Sequence, residues 1–222
     1  NVGTEPIQNI GAYGVELKDI FESCEAIKID TQDIRHFSKE ECQFGYRNST
    51  FKTDRKGEYI ITSVNFRLTT SNHSIRTSYG AIQKQLEDKS ISDPTIQDVS
   101  NAVIAIRSSK LPDPKNIGNS GSFFKNPVIS RAEFNALKAN FPNIPSYEVS
   151  ENEVKVPAGW LIEQAGFKGK RFGDYGVHAH QALVLVNYGN ANGNDIFRLS
   201  KLIQTTISRI FNINLEAEVN II

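Results

Sequence analysis

Two short segments of this sequence carry the residue types best suited to chemistry. The first, residues 116–126, reads NIGNSGSFFKN and combines hydroxyls, amides and one lysine with two glycines. Glycines let the backbone approach a ligand closely, and the adjacent Phe123 and Phe124 would anchor the segment in a core. We predict that this segment positions a reactive hydroxyl. A tight turn with a solvated serine is the alternative that the composition leaves open.

The second segment, residues 44–52, reads FGYRNSTFK and sets a phenol beside a guanidinium between aromatic anchors. Arginine is always charged and planar, so Arg47 could stabilise a developing anion or stack on a flat ring. From this segment alone, an exposed arginine on a strand edge remains the competing interpretation.

Other motifs that would assign a chemistry are missing. The sequence has no GxxxxGK[ST] and no GxGxxG after a strand, so neither a P-loop nor a Rossmann site has support. Residues 118–122 do not form a GxSxG elbow. His178 and His180 share one face of a segment predicted to be extended, and no third ligand is near. We therefore predict no metal site. Cys24 and Cys42 form no CxxC, and we expect free thiols in a reducing compartment.

Composition narrows the class of protein. The 222 residues are 39% hydrophobic, and 25 basic residues balance 25 acidic ones. A balanced charge gives no general attraction to nucleic acid or to an anionic membrane, and no apolar run approaches the ~20 residues that span a bilayer. We expect a cytoplasmic globular protein with neither partner. The sequence starts at Asn1 and contains no Met, and we expect that part of a longer chain is missing.

Hydrophobic periodicity predicts the elements of the first half of the chain, which contains the second segment of interest. We predict strands over residues 26–30 and 59–68. Ile27 and Ile29 would share one face of the first strand. The residues expected on one face of the second are Ile60, Val64, Phe66 and Leu68. Asp93 and Pro94 offer an N-cap and a first position for a helix ending near Arg107.

The second half has its own alternation of strands and helices. Ser130 and Glu133 form a capping box that starts a helix, residues 182–186 read as a strand buried on both faces, and an amphipathic helix follows Asp195. A last strand is expected over residues 218–222. The prolines at 112 and 114 mark a domain boundary at 111–114, so we predict an α+β fold in two lobes.

Six motifs that follow one another in order carry a family resemblance. They are PIQNIGAYG at 6–14, FGYRNSTFK at 44–52, RSSKLPDP at 107–114, GSFFKNP at 121–127, AGWLIEQ at 158–164 and LEAEV at 215–219. Together they resemble the UDP-N-acetylenolpyruvoylglucosamine reductases, the MurB family, and the Tyr46-Arg47 and Tyr79-Gly80 pairs resemble its type I branch. The resemblance covers the chain from about Pro6 to its end.

The resemblance implies an α+β fold with defined domains. Residues 1–110 would be the second subdomain of a vanillyl-alcohol-oxidase-type FAD-binding fold, and 111–212 an α+β substrate-binding domain. The tail, 213–222, would return to the active site. The first flavin subdomain, whose glycine-rich segment grips the FAD pyrophosphate, has no counterpart in this sequence.

The implied reaction belongs to peptidoglycan precursor synthesis. NADPH reduces bound FAD, which passes a hydride to C3 of UDP-N-acetylglucosamine enolpyruvate while C2 takes up a proton, giving UDP-N-acetylmuramate. The implied enzyme is a cytoplasmic monomer whose partners are the nucleotide sugar and NADPH. The alternative is a truncated, catalytically silent UDP-sugar-binding fragment that lacks FAD.

The resemblance also assigns residues. Ser122 matches the family's proton donor, and Arg47 and Glu218 match the pair placed about the substrate carboxylate and flavin. The positions that match substrate-binding residues are Tyr46, Tyr79, Lys110, Asn126, Tyr147 and Gln181. The positions expected along the cofactor are Ile7, Gln8, Gly11, Tyr13 and Arg107. The chain departs from the family at Ala217, a proline elsewhere, and at Asn220, an arginine elsewhere, which removes a possible charge partner of Glu218.

Overall fold

The computed structural model describes residues 4–221 and separates into two compact units, the first ending at Ile106 and the second beginning at Arg107. Each unit contains both strands and helices, so the predicted mixture of α and β structure in both halves is confirmed. The assignment of 1–110, 111–212 and 213–222 to flavin, substrate and tail domains stays a prediction.

The first unit is built on a three-stranded antiparallel sheet in the order β4-β3-β5, preceded by a two-stranded hairpin and followed by two helices. Its elements are β1 (Gly11–Ala12), β2 (Val15–Glu16), β3 (Phe21–Lys28), β4 (Ile34–Ser38), β5 (Tyr59–Phe66), α1 (Gly80–Glu87) and α2 (Ile96–Lys110). Phe37 lies fully buried on the inner face of the sheet, and the rings of Phe51 and Tyr59 each meet it edge-on at 5.0 Å. One aromatic core therefore holds the sheet to the segment after residue 42.

The faces predicted for the two strands of this sheet are wrong in part. In β3 the core side carries Cys24 and Ala26, while Ile29 lies beyond the strand and is 52% exposed. In β5 a bulge intervenes, because Glu25 pairs with Ser63 but Ala26 pairs with Ile61. Before the extra residue, Tyr59 and Ile61 pack against the core; after it, Val64 and Phe66 do. Ile60 therefore lies on the outer face and is 60% exposed.

The second helix begins later than predicted. Thr95, not Asp93, caps α2: its hydroxyl accepts from the Asp98 amide at 3.2 Å, and the Asp98 carboxylate accepts from the Thr95 amide at 2.9 Å. This reciprocal pair satisfies two end groups at once, which a lone aspartate before proline does not. The sequence patterns did not predict α1, whose Ile82 and Leu86 pack against α2.

The second unit contains a four-stranded antiparallel sheet in the order β10-β11-β12-β6, a small sheet in the order β7-β9-β8, and three helices. Its elements are β6 (Gly118–Ser122), β7 (Val128–Ser130), α3 (Arg131–Asn140), β8 (Tyr147–Glu148), β9 (Glu153–Lys155), α4 (Ala158–Gln164), β10 (Arg171–Phe172), β11 (Tyr175–Val177), β12 (Val184–Asn187) and α5 (Gly193–Phe211). Both α4 and α5 contribute to its large core.

Local patterns predicted three elements of this unit. The Ser130–Glu133 capping box is present at the start of α3. The strand predicted as buried on both faces is β12, in which Val184, Leu185 and Val186 are all buried. The amphipathic helix α5 begins at Gly193 with Asn192 as its cap, slightly before the predicted start.

The predicted last strand over 218–222 is wrong in its position. Pairing occurs earlier, through an isolated bridge between Phe124 and Ala217, with the Lys125 amide donating to the Glu216 carbonyl oxygen at 2.9 Å. Described residues after Glu218 belong to no strand, and Ile222 lies outside the described residues.

Candidate functional site

A tight turn presents Arg47 in the first unit. The amide and carbonyl groups of Gly45 and Asn48 bond to each other in both directions, at 3.1 and 3.3 Å, which closes the turn around Tyr46 and Arg47. Arg47 has a φ of 51°, in the left-handed region that an arginine rarely adopts. Such a conformation persists only where surrounding contacts determine it.

The guanidinium of Arg47 is fixed against the β1–β2 hairpin. Its Nη2 donates to the carbonyl oxygen of Gly11 at 2.6 Å, and its Cζ lies 5.4 Å from the ring centre of Tyr46. A Cβ at residue 11 would stand 2.9 Å from the Val15 carbonyl oxygen and 3.2 Å from Arg47 Nη1. Glycine at position 11 therefore permits this close approach, and the structure brings Gly11, Tyr46 and Arg47 together. Their functional roles stay predictions.

Asn9 connects the Arg47 turn to the hairpin. It is fully buried, and its Nδ2 donates to the Gly45 carbonyl oxygen at 2.9 Å and to Glu16 Oε2 at 3.0 Å. Its Oδ1 accepts from the Lys18 amide at 3.0 Å. Sequence reasoning did not single out Asn9. The only signal was its place inside the PIQNIG motif, because its partners are brought near by tertiary structure.

Ser49 anchors the other side of the turn to the segment expected along the cofactor. Its hydroxyl donates to the Ile7 carbonyl oxygen at 2.6 Å and accepts from the Phe51 amide at 3.2 Å. The neighbouring Gln8 is half-buried. The Ile7–Gly14 segment is thus bonded at several points to the segment that carries Arg47.

Two tyrosines with different predicted roles meet in this unit. The rings of Tyr13 and Tyr79 contact edge-to-face, with centroids 5.3 Å apart and planes at 78°. Tyr13 has a φ of 55° and packs on the cluster formed by α1 and α2. Tyr79 directly precedes α1 and is 43% exposed, so the part of its side chain away from Tyr13 faces solvent.

In the second unit, Ser122 lies where one strand changes partners. Ser122 pairs with Val184 of β12, and the next amide, that of Phe123, donates to the Leu183 carbonyl oxygen at 2.8 Å. The Phe123 carbonyl oxygen then accepts from the Glu218 amide at 2.8 Å. The backbone therefore brings Glu218 beside the residue that follows Ser122, although the two are far apart in sequence.

Lys125, which sequence reasoning did not single out, forms a second link to the tail. Its Nζ lies 3.0 Å from Glu216 Oε2, next to the backbone bond between the same two residues. On the other face, Phe124 and Ala217 stand opposite each other and pack in the core. Both links fix the register that places Glu218.

Asn126 and Gln181 both lie close in space to the first residues of α4, Ala158 and Gly159. Asn126 Oδ1 accepts from the Ala158 amide at 2.9 Å, so it caps a helix whose preceding residue, Pro157, supplies no side-chain cap. Gln181 Oε1 accepts from the Leu183 amide at 3.3 Å and faces Gly159. Their substrate-binding roles stay predictions, but the structure adds a positioning role for each.

The remaining predicted residues are spread over the surface of the second unit. Arg107 and Lys110 are exposed on the last turn of α2. Tyr147 is 57% exposed on β8, at the edge of the small sheet. Their roles also stay predictions.

The histidine pair lies in a bend after β11, where the predicted extended segment has ended. The rings of His178 and His180 are 5.6 Å apart, and burial together with the charge of His180 lowers the pKa of His178. Residues 4–221 include no group of three His, Cys, Asp or Glu side chains arranged to hold a metal ion. Within the same residues, every helix is too short or too polar to cross a membrane.

Comparison with known proteins identifies close relatives of this chain. Residues 113–222 match the family model of the UDP-N-acetylenolpyruvoylglucosamine reductase C-terminal domain. The whole chain is 63% identical over 222 residues to the UDP-N-acetylenolpyruvoylglucosamine reductase of Flavobacterium johnsoniae, and covers 66% of that protein. It is 50% identical over 221 residues to the protein of the same name from Amoebophilus asiaticus, covering all of this chain and 65% of the relative. The chain thus spans slightly less than two thirds of these relatives.

A solved structure shares the fold. The chain is similar to the crystal structure of UDP-N-acetylenolpyruvylglucosamine reductase from Thermus caldophilus, with a TM-score of 0.61 and 22% identity. The similarity covers 99% of this chain and 59% of the other.

Proposed function

The chain belongs to the UDP-N-acetylenolpyruvoylglucosamine reductase family, and on that premise we propose that it carries the substrate-binding and protonating part of such a reductase. The substrate would be UDP-N-acetylglucosamine enolpyruvate and the product UDP-N-acetylmuramate, a precursor of peptidoglycan. The observation that carries this proposal is the backbone bond from the Glu218 amide to the Phe123 carbonyl oxygen, which places Glu218 beside the residue that follows Ser122.

The reaction requires charge stabilisation followed by protonation. Addition of a hydride to C3 of an enolpyruvyl ether builds negative charge towards the carboxylate, and C2 must then receive a proton. We assign proton donation to the Ser122 hydroxyl, which is half-buried at the end of β6. A hydroxyl is a weak acid, so it needs a neighbouring group that orients it or the substrate. We assign that part to Glu218.

We assign stabilisation of the substrate carboxylate to Arg47. An arginine can pair with a carboxylate through two parallel hydrogen bonds. The left-handed turn and the bond to Gly11 hold the guanidinium in one place before substrate arrives. A charged group fixed in advance needs little reorganisation during the reaction, which is the property that favours catalysis.

We assign FAD to the segment around Gly14, where the backbone is open on one side. Gly14, with a φ of 80°, has no atom within 4 Å of the place where a Cβ would stand, and the neighbouring Tyr13 is half-buried. Ile7, Gln8, Gly11, Tyr13 and Arg107 are the residues that would hold the cofactor. When bound, FAD would take electrons from NADPH and supply the hydride for C3. We expect the enzyme to act as a monomer in the cytoplasm.

Absorption and calorimetry test this proposal on the purified protein. We expect flavin absorbance in the visible range and binding of UDP-N-acetylglucosamine enolpyruvate. Lys110→Ala should weaken that binding by about 10- to 100-fold, the effect of losing one charge-assisted contact to a diphosphate. The matched control is Lys115→Ala, which removes another exposed lysine.

Each contrary result has a defined meaning. A colourless protein that binds the nucleotide sugar would support the silent UDP-sugar-binding fragment in place of the reductase. A protein that binds neither FAD nor the nucleotide sugar would overturn both proposals.

A further inference from the structure

Strand β6 of the second unit carries an extra residue just before Ser122. Asn119 of β6 pairs with Val186 of β12, and Ser122 pairs with Val184. Two residues of β6 therefore stand opposite one residue of β12, Leu185. This arrangement is a β-bulge, and a bulge changes the direction of the side chains that follow it.

The bulge decides which side of the sheet Ser122 faces. Paired residues of neighbouring strands project to the same side, and Leu185, between the partners of Asn119 and Ser122, packs in the large core. Asn119 and Ser122 therefore both face away from that core, while Phe123 packs in it. In an unbroken strand, residues three apart project to opposite sides. Without the extra residue, Ser122 would point into the core.

Gly121 adopts the backbone conformation that the bulge needs. Its φ is 75°, in the left-handed region, and no atom lies within 4 Å of the place where a Cβ would stand. A left-handed glycine is typical of one common class of bulge. This position therefore requires glycine for its backbone conformation and not for lack of space.

The Asn119 side chain fixes the bulge. Its Oδ1 accepts from the Gly121 amide at 3.0 Å, and its Nδ2 donates to the Ile117 carbonyl oxygen at 2.9 Å and to that of Pro112 at 3.4 Å. A bulge removes backbone groups from the bonding between strands, and an amide shielded from water without a partner costs free energy. Asn119 supplies the partner of the half-buried Gly121 amide, so it stabilises the conformation that turns Ser122 outward.

We propose that Asn119 is a positioning residue for the Ser122 hydroxyl, acting through the bulge of β6. Positioning by Asn119 assumes the proposed function, in which Ser122 gives a proton to C2 of the substrate. A general acid must lie within hydrogen-bond reach of the atom that it protonates. Without the Asn119 side chain, the bulge loses the bond that fixes Gly121, and the hydroxyl spends less time in the geometry for donation. Reduction of the flavin by NADPH does not need this geometry.

Two asparagine variants test the proposal with the protein loaded with FAD. Asn119→Ala should slow oxidation of the reduced flavin by the enolpyruvyl substrate by about 10- to 100-fold in stopped-flow absorbance, the cost of a misplaced acid. Reduction by NADPH should stay at the wild-type rate. The solvent deuterium isotope effect on the slowed half-reaction should increase, because proton transfer becomes the slow step.

Asn187→Ala is the matched control on the neighbouring strand. Asn187 Oδ1 accepts from the Gly189 amide at 2.9 Å, the same type of bond two residues along the chain that Asn119 makes. The loss of such a bond should lower stability to a similar extent in both variants, as urea denaturation measures. Asn187→Ala should nevertheless leave both half-reactions unchanged.

Gly121→Ala alters the bulge and keeps the asparagine. The added methyl has space, but alanine disfavours a φ of 75°. Gly173→Ala is its control, because Gly173 has a φ of 66° in the turn between β10 and β11 and equally open space. Both substitutions should cost similar stability, and only Gly121→Ala should slow oxidation of the flavin by substrate.

Hydrogen exchange of the Gly121 amide tests the structural step without FAD or substrate. In Asn119→Ala this amide loses its acceptor, so its exchange should speed up at least severalfold, as NMR of the labelled chain measures. Asn187→Ala should leave it unchanged. If the Gly121 amide exchanges at the wild-type rate in Asn119→Ala, the bulge does not depend on Asn119 and the proposal is refuted, whether or not FAD binds.

Failure of the positioning role can be told apart from failure of the proposed function. If Ser122→Ala slows oxidation by substrate but Asn119→Ala and Gly121→Ala do not, positioning by Asn119 is refuted and proton donation stands. If Ser122→Ala has no effect, both are overturned. An Asn119→Ala variant that slows the two half-reactions equally, or that matches Asn187→Ala, would leave Asn119 with a role in stability alone.

Discussion

The Arg47 side chain donates to the carbonyl oxygen of Gly11 over 2.6 Å, across two segments that sequence motifs identify separately. A left-handed turn aims the arginine, and a glycine without Cβ lets it come close. Buried Asn9 bonds to both segments and holds them in register. The position of the guanidinium thus depends on the turn at Arg47, on the missing Cβ of Gly11 and on the side chain of Asn9.

Gly11→Ala tests the need for close approach at the hairpin. The added methyl would stand 2.9 Å from both the Val15 carbonyl oxygen and Glu16 Cγ. We expect a loss of roughly 1–3 kcal/mol in the free energy of unfolding, as for overpacking elsewhere, measured by urea denaturation. Gly80→Ala is the control, because no atom lies within 4 Å of its added Cβ. It should be neutral or stabilising, and equal losses in both variants would contradict the explanation.

Paired substitutions at Arg47 separate backbone strain from charge. Glycine adopts a φ of 51° readily, whereas alanine does not. Arg47→Gly should therefore be about 1 kcal/mol more stable than Arg47→Ala in denaturant unfolding. Both variants should lose binding of the substrate carboxylate to a similar extent in calorimetry. Equal stability of the two would show that the turn relaxes away from its left-handed form.

Asn126 combines a cap with a proposed contact to substrate. Asn126→Ala removes the acceptor of the Ala158 amide and should cost about 1 kcal/mol of stability. Asn126→Asp keeps an acceptor there, so its unfolding should stay close to wild type. It replaces the amide donors with a negative charge, however, and should still weaken binding of the anionic nucleotide sugar. Wild-type binding by the aspartate variant would remove Asn126 from the substrate site.

Ser122→Ala tests the proposed proton donation, with the protein loaded with FAD. We expect NADPH to reduce the flavin at the wild-type rate, because that half-reaction needs no proton at C2. Oxidation of the reduced enzyme by the enolpyruvyl substrate should fall by at least about 100-fold, the usual contribution of a general acid. Stopped-flow absorbance follows each half-reaction. Ser120→Ala, at an exposed position of the same strand, serves as control. Equal loss in both half-reactions would refute the assignment.

His178 should make the second unit less stable in mild acid. Its pKa is lowered by burial and by the charge of His180, so the folded chain binds its proton less readily than the unfolded chain does. This contribution is complete above the ordinary histidine pKa of about 6.5, and it is lost as the pH falls from there through the lowered pKa of the folded chain. His178→Gln should reduce the change in unfolding free energy between pH 7.5 and 5.5, which denaturant titrations at each pH measure. An unchanged pH dependence would exclude His178 as its source.

Much of the second unit could be predicted because its signals are local. Ser130 and Glu133, only three residues apart, form the capping box of a helix. The apolar run at Val184–Val186 predicts a buried strand. The six motifs that follow one another in order, of which one surrounds Ser122, also identified the family without any structural information. In contrast, the helix cap at Thr95 was missed in favour of Asp93, since a reciprocal pair of bonds outweighs a single candidate cap.

The sequence by itself determined the family, the mixed α and β character of both halves and the short segments in which reactive residues stand. Only the tertiary structure decided how those segments meet. The bulge at Thr62 reversed the inward face of β5, and Asn9 bonds to Gly45 and Glu16. The Glu218 amide bonds to the Phe123 carbonyl oxygen, which joins the tail to the residue after Ser122. Caps and periodicity act over a few residues, so a sequence displays them directly. Pairing between distant segments depends on which arrangement satisfies the backbone groups and buries the core of the whole unit, and that balance is settled only when the chain has folded.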